Sequence, residues 1–427
     1  MKIKNNFFIF NKILYNSLKE EVMKLQKLIL IFFIFCSFIL TGCSNYSDYS
    51  SQDHKKILKH YKNNLKIFKK NQINPKLIWF IKITKKSGNS FSKLHLAYKN
   101  GLIYIANKNG IVKCINLKNG KIIWNTNLSK KNFCILSYCL SEELSSGPVI
   151  SNDYLYLGSE KGKIIALNNK NGNKIWEKDV FSEVLSDPVI SKNVLIVHNN
   201  NNILQGLDKN NGHILWTISL GPLELYSFRG TSKPAVFFDN VITGSDNGII
   251  SSCILNNGHI IWQRDLTIIP NSFSSLNFND IDTQPIISNG VVYVVSYNGN
   301  FNALDLSNGN IIWNKLYKVS GDFIINNNSI YFFDIHKNLL SLNVNTGNIF
   351  WSQNKFIYKK TITPIYYKNN IIIIDRKGKI YFLDANNGNI ISHKSIKKFN
   401  DYIQSSLLVN NKLILQTYNG MIYMFKL

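Results

Sequence analysis

Reactive chemistry in this chain would have to be built from six cysteines, eight histidines and few acidic residues. The cysteines stand at Cys36, Cys43, Cys114, Cys134, Cys139 and Cys253, with no two adjacent and no spacing of the kind that holds zinc. The histidines are scattered, without a His-x-x-x-His pair, so no metal site is expected. Glu142-Glu143 is an isolated acidic pair on a loop and reads as solvated rather than as a general acid and base. No phosphate-cradling glycine loop and no nucleophile elbow occurs. Two connections are longer than a simple link between strand runs needs, one with Tyr226, Phe228 and Arg229 and the next with Asp280 and Asp282, and long connections tend to be functional. Aromatic and arginine side chains are favoured interface anchors, each able to contribute about 2 kcal/mol or more. Two roles stay open for Arg229: bracing the two connections against Asp280 or Asp282, or joining them in meeting a partner.

Cys43 has a chemistry of its own. Residues Leu28 to Leu40 are apolar apart from Ser37, a run shorter than the ~20 residues a membrane-spanning helix needs. Preceded by Lys24 and Lys27, it reads as the hydrophobic region of a signal peptide. It ends in Leu40-Thr41-Gly42-Cys43, which resembles a bacterial lipobox, where the cysteine is lipidated and becomes the new N-terminus. Ser44 stands where an aspartate would hold such a lipoprotein at the inner membrane, which favours the outer one. Several acyl chains, at about 0.8 kcal/mol per buried methylene, make a stable anchor. Residues 1–42 are therefore assigned to the signal, with 1–22 an upstream extension ahead of Met23-Lys24-Leu25, and 43–75 to a lipidated polar tether. Cys36 leaves with the signal. Cys114 and Cys253 read as small core fillers. Cys134 and Cys139 share the insertion between Trp124 and Pro148, and their spacing leaves a disulfide open.

The elements that position these residues come from a repeat. Its clearest copy runs from Pro148 to Val180, as four short strands punctuated by Asn152-Asp153, Lys161-Gly162 and Asn171-Gly172. Glycine supplies the positive φ of such tight turns. Gly-x-x-x-Trp recurs at Trp124, Trp176, Trp216, Trp262, Trp313 and Trp351, and a seventh copy at Gly388 carries Ser392 instead. Proline opens the first strand in several copies: Pro148, Pro188, Pro234, Pro285 and Pro364. An eighth copy, from about Ile403, stops at Leu427 without its fourth strand, while Lys76-Leu77-Ile78-Trp79 is a fourth strand with no blade before it. The pattern predicts an all-β, eight-bladed propeller over 76–427. Its blades are four-stranded and antiparallel, and the N-terminal strand closes the last one and removes a free sheet edge. Trp79 and the six other tryptophans are expected to pack between blades, and Ser392 predicts a weaker seventh interface.

Hydrophobic residues make up 45% and aromatics 13%, enough for a large core. The net charge of +25 invites a nucleic-acid reading, but the lysines are spread over turns together with other residues of AT-rich codons. Compositional drift accounts for them, and export argues against a nucleic-acid partner.

Ala303, Asp305, Gly309 and Trp313 set out Ala-x-Asp-x-x-x-Gly-x-x-x-Trp, which resembles the PQQ-type propeller repeat. Asp280-Ile281-Asp282-Thr283-Gln284-Pro285, Val291-Val292-Tyr293, Tyr297-Asn298-Gly299-Asn300 and Ala303-Leu304-Asp305-Leu306 resemble the BamB family, lipoproteins of the β-barrel assembly machine. Ser227-Phe228-Arg229-Gly230 and Gly244-Ser245-Asp246-Asn247-Gly248 are similar to it as well. The resemblance implies a scaffold without catalysis or cofactor, lipid-anchored on the periplasmic face of the outer membrane. It would bind the POTRA domains of BamA and help present unfolded outer-membrane proteins for insertion. The family's contact, an apolar-x-apolar-Arg segment and an Asp-x-Asp segment, falls on Tyr226, Phe228 and Arg229, and on Asp280 and Asp282. Aromatics replace the family's usual leucines. The rival is a PQQ-dependent dehydrogenase, which shares the repeat but carries a vicinal cysteine pair that this chain lacks.

Overall fold

The computed structural model describes residues 73–83, 94–129, 134–135, 138–139, 142–222, 231–267, 280–297, 299–357, 359–396, 399 and 401–427. The signal, Cys43 and most of the tether lie outside the described residues, as do Tyr226, Phe228 and Arg229. Eight four-stranded antiparallel sheets form the blades of a propeller. Blade 2 shows the plan: Leu144–Ser151, Tyr154–Ser159, Lys163–Asn168 and Lys174–Asp179, each strand paired with the next.

The last blade closes as the repeat predicts. Its first three strands are Ile403–Val409, Lys412–Thr417 and Met421–Lys426, and the fourth is Lys76–Lys82. The fourth pairs antiparallel with the third from Lys76 opposite Lys426 to Lys82 opposite Met421. The strand that would otherwise present an open edge is thus satisfied by the start of the same domain.

Burial follows the strand order. Second and third strands lie between neighbouring blades and are buried on both faces: in blade 3 every residue of Val194–Asn199 is buried. Fourth strands alternate and face outward. Among the described strands each carries one extra residue just before the tryptophan position, as where Ala166 faces Trp176 but Leu167 faces Lys174, leaving Ile175 over. That bulge explains the Ile-Ile-Trp runs: the extra residue points outward, Ile175 being 45% exposed, and the indole turns toward the next blade.

The seven tryptophans make one joint repeated around the ring. Trp124 Nε1 donates to Asn169 O at 3.0 Å, Trp216 Nε1 to Leu255 O at 2.8 Å and Trp313 Nε1 to Val344 O at 3.0 Å. Each acceptor lies three residues before the turn glycine of the following blade, and the indole covers that glycine. A β-carbon on Gly172, whose φ is +76°, would come within 2.5 Å of Trp124. Glycine is required there for its conformation and for the approach of the ring.

Two expectations are corrected. Pro148 does not open its strand; blade 2 starts at Leu144, and Pro148 sits where the register slips between Ser146 and Val149. Glu142 is not solvated but buried, and its carbonyl accepts a hydrogen bond from Ser159 Oγ at 3.0 Å. A short hairpin pairing Cys134–Ile135 with Tyr138–Cys139 lies in the insertion before blade 2, unforeseen in the strand pattern.

Candidate docking site at the funnel mouth

The connections from a fourth strand to the next first strand emerge on one face and surround a central funnel of about 1200 Å3. Asp280 and Asp282 lie in the connection into blade 5, on the two sides of Ile281, and both line the funnel with Thr231 and Lys233. Ile281 fixes their place. It is buried in the core between blades 4 and 5, its N–H donates to Ser245 O at 3.2 Å, and its side chain lies over Gly244. Tyr297 N–H donates to Asp280 O at 2.8 Å, and Thr283 Oγ1 donates to Val295 O at 2.9 Å. Three bonded contacts within four residues leave Asp280 buried and Asp282 half-buried at the mouth.

The preceding connection carries the Tyr226 to Arg229 segment, and beyond that segment it is described again from Thr231 onward. Its Ser232 Oγ donates to Thr283 O at 2.9 Å, so the two connections are joined directly. Ser232 O in turn accepts from His198 Nδ1 at 2.8 Å, with Thr243 Oγ1 3.3 Å from the same nitrogen. Because a carbonyl only accepts, Nδ1 carries the hydrogen. His198 is buried, and burial holds its pKa down to about 4, against the pull of the Ser232 bond. It is a neutral brace beneath the connection that carries Ser232. On the other flank, Asp187 accepts from Gly147 N at 2.7 Å and pairs with Lys233 at 3.3 Å.

Sequence reasoning placed the two connections side by side, and the family resemblance pointed to Asp280 and Asp282 within them. It missed Ser232, Thr283 and His198, whose residue types are common and whose meeting depends on the curvature of the ring. Among the described residues no group of three His, Cys, Asp or Glu side chains could hold a metal. Cys114 and Cys253 are buried, and burial pushes their thiols up to about 11 and about 12, as befits core fillers rather than nucleophiles.

A family model described as outer membrane protein assembly factor BamB matches residues 108–353. The protein of that name from Yersinia pestis is 32% identical over 356 residues, covering 83% of this chain and 90% of its own. The one from Escherichia coli (strain K12) is likewise 32% identical, covering 83% and 89%. Among solved structures, BamB from Moraxella catarrhalis matches with a TM-score of 0.70 at 21% identity, over 83% of this chain and all (100%) of that one. Quinohemoprotein alcohol dehydrogenase from Comamonas testosteroni matches at 0.61 with 12% identity, over 84% and 78%, a likeness of fold alone. Blade count and repeat therefore define a β-propeller of the PQQ-like repeat class. Within that class, the chain belongs to the BamB family of outer membrane protein assembly factors.

Proposed function

We propose that this chain is a non-catalytic accessory of the β-barrel assembly machine, docking on the POTRA domains of BamA through the two joined connections. Tyr226, Phe228 and Arg229 on one, and Asp280 and Asp282 on the other, supply the contact. Family membership supports the assembly role, and the Ser232 to Thr283 hydrogen bond supports the site, because it joins the connection that carries both aspartates to the one that follows the Tyr226 to Arg229 segment in sequence. A rigid scaffold with charged groups held in place is what a docking surface requires. Cys43 anchors the chain in the outer membrane, and the propeller faces the periplasm, where it helps orient unfolded outer-membrane proteins.

Co-purification tests the site. Arg229→Ala, or Asp280→Ala with Asp282→Ala, is expected to abolish recovery of BamA while leaving the propeller folded by circular dichroism. Undiminished BamA recovery from the folded variants would refute it. Anchoring is tested separately: a chain exported on a cleavable signal and beginning at Ser44 should be recovered free of membranes.

A further inference from the structure

The opposite face carries the turns between first and second strands. A residue of positive φ sits in each, asparagine or lysine in seven blades: Asn100, Asn152, Lys192, Asn289, Asn327, Lys368 and Asn410. Blade 4 places Phe238 there, at φ +52°. That region is costly for a bulky side chain, and Phe238 is 79% exposed, so neither backbone preference nor burial accounts for it. Phe237 is half-exposed and meets Phe238 edge-on, with ring centroids 4.6 Å apart. The pair borders an open groove of about 690 Å3 floored by the first strands of blades 3 to 5. A strained turn thus presents an aromatic pair to the outside.

The chain enters the propeller on this same face. Lys76 pairs with Lys426 at the end of a third strand, and Leu427 N–H donates to Asn411 O in the first turn of blade 8 at 2.8 Å. The tether therefore joins here. Around the entry, Lys76, Lys118, Lys121, Lys368 and Lys426 are exposed, and none takes part in an ion pair among the described residues.

We propose that this face lies against an acidic phospholipid bilayer, with Phe237 and Phe238 entering the interface and the entry lysines meeting anionic headgroups. The inference rests on the membrane-anchored reading above. Apolar insertion plus basic side chains gives a second, orienting contact beside the anchor. It would set the funnel mouth, on the other face, away from the membrane and toward its partner.

The test uses the mature chain beginning at Ser44, so that neither an acyl chain nor the apolar signal run contributes, and sedimentation with vesicles of phosphatidylcholine alone or mixed with phosphatidylglycerol. Binding is expected to the mixed vesicles only, and to weaken with salt. Phe238→Asn, which installs the residue type of five of the other seven turns, should lower binding at least tenfold while melting at the same temperature or higher. Lys118→Glu with Lys121→Glu should lower it as well. Binding to neither vesicle, equal binding to both, or undiminished binding by Phe238→Asn would overturn the proposal and give the turn to a protein partner instead. Failure of the anchor shows elsewhere: the chain with Cys43 intact would leave membranes as readily as the chain beginning at Ser44, whatever the vesicles show.

Discussion

Ser392 donates its hydroxyl hydrogen to the carbonyl of Ile73 at 3.0 Å, tying the fourth strand of blade 7 to the segment that enters the propeller 319 positions earlier. The indole of every other fourth strand covers a turn glycine of the following blade. Blade 8 has no such turn, because its third strand is the end of the chain and its fourth is the beginning. Ile73 packs into the core between blades 7 and 8, and Lys394 Nζ donates to Asn74 Oδ1 at 3.1 Å. The missing tryptophan is the mark of closure.

Ser392→Ala should therefore cost about 1 kcal/mol, the worth of one hydrogen bond. Ser392→Trp should cost more, because an indole there must displace the entering chain. Urea denaturation of both variants checks the order.

At an ordinary joint the tryptophan holds more of the stability than the serine does at the closure. Trp313→Ala is expected to cost about 3–5 kcal/mol, since it empties a buried site and leaves Val344 O without its donor. Calorimetry should show a lower Tm with the fold retained.

His198 sets a pH limit. Its folded pKa of about 4 lies below its ordinary 6.5, so between these values the unfolded chain binds more protons. The stability from keeping it neutral is complete above pH 6.5 and is lost as the pH falls toward 4, by about 3 kcal/mol at about 1.4 kcal/mol per pH unit. His198→Gln should flatten the stability profile in that window, measured by denaturation at stepped pH.

Gly244 controls the site without belonging to it. A β-carbon there would stand 2.2 Å from the Ile281 side chain and 3.0 Å from its carbonyl. Gly244→Ala should cost about 1–3 kcal/mol by overpacking. It should also end BamA co-purification with both aspartates intact, while Gly290→Asn, in open space at φ +75°, should leave it unchanged.

Much of this fold was legible because the Gly-x-x-x-Trp repeat joins one local event, a tight turn, to one long-range event, an indole on the next blade. Closure could be read from Trp79 standing without a blade and Leu427 ending without a partner. The hairpin at Cys134 to Cys139 escaped notice, since two-residue strands leave no period to detect. Glu142 was misjudged because local polarity does not show what folds over a loop. At the site, charged types and long connections were visible, while the bond from Ser232 to Thr283 depends on the angle between blades.

A photo-crosslinking residue in place of Asp282, in cells, addresses the docking face most directly. Mass spectrometry should find it joined to peptides of the BamA POTRA domains, with no such product from the same residue at Asn289 on the opposite face. Crosslinks to BamA from Asn289, and none from Asp282, would contradict the account.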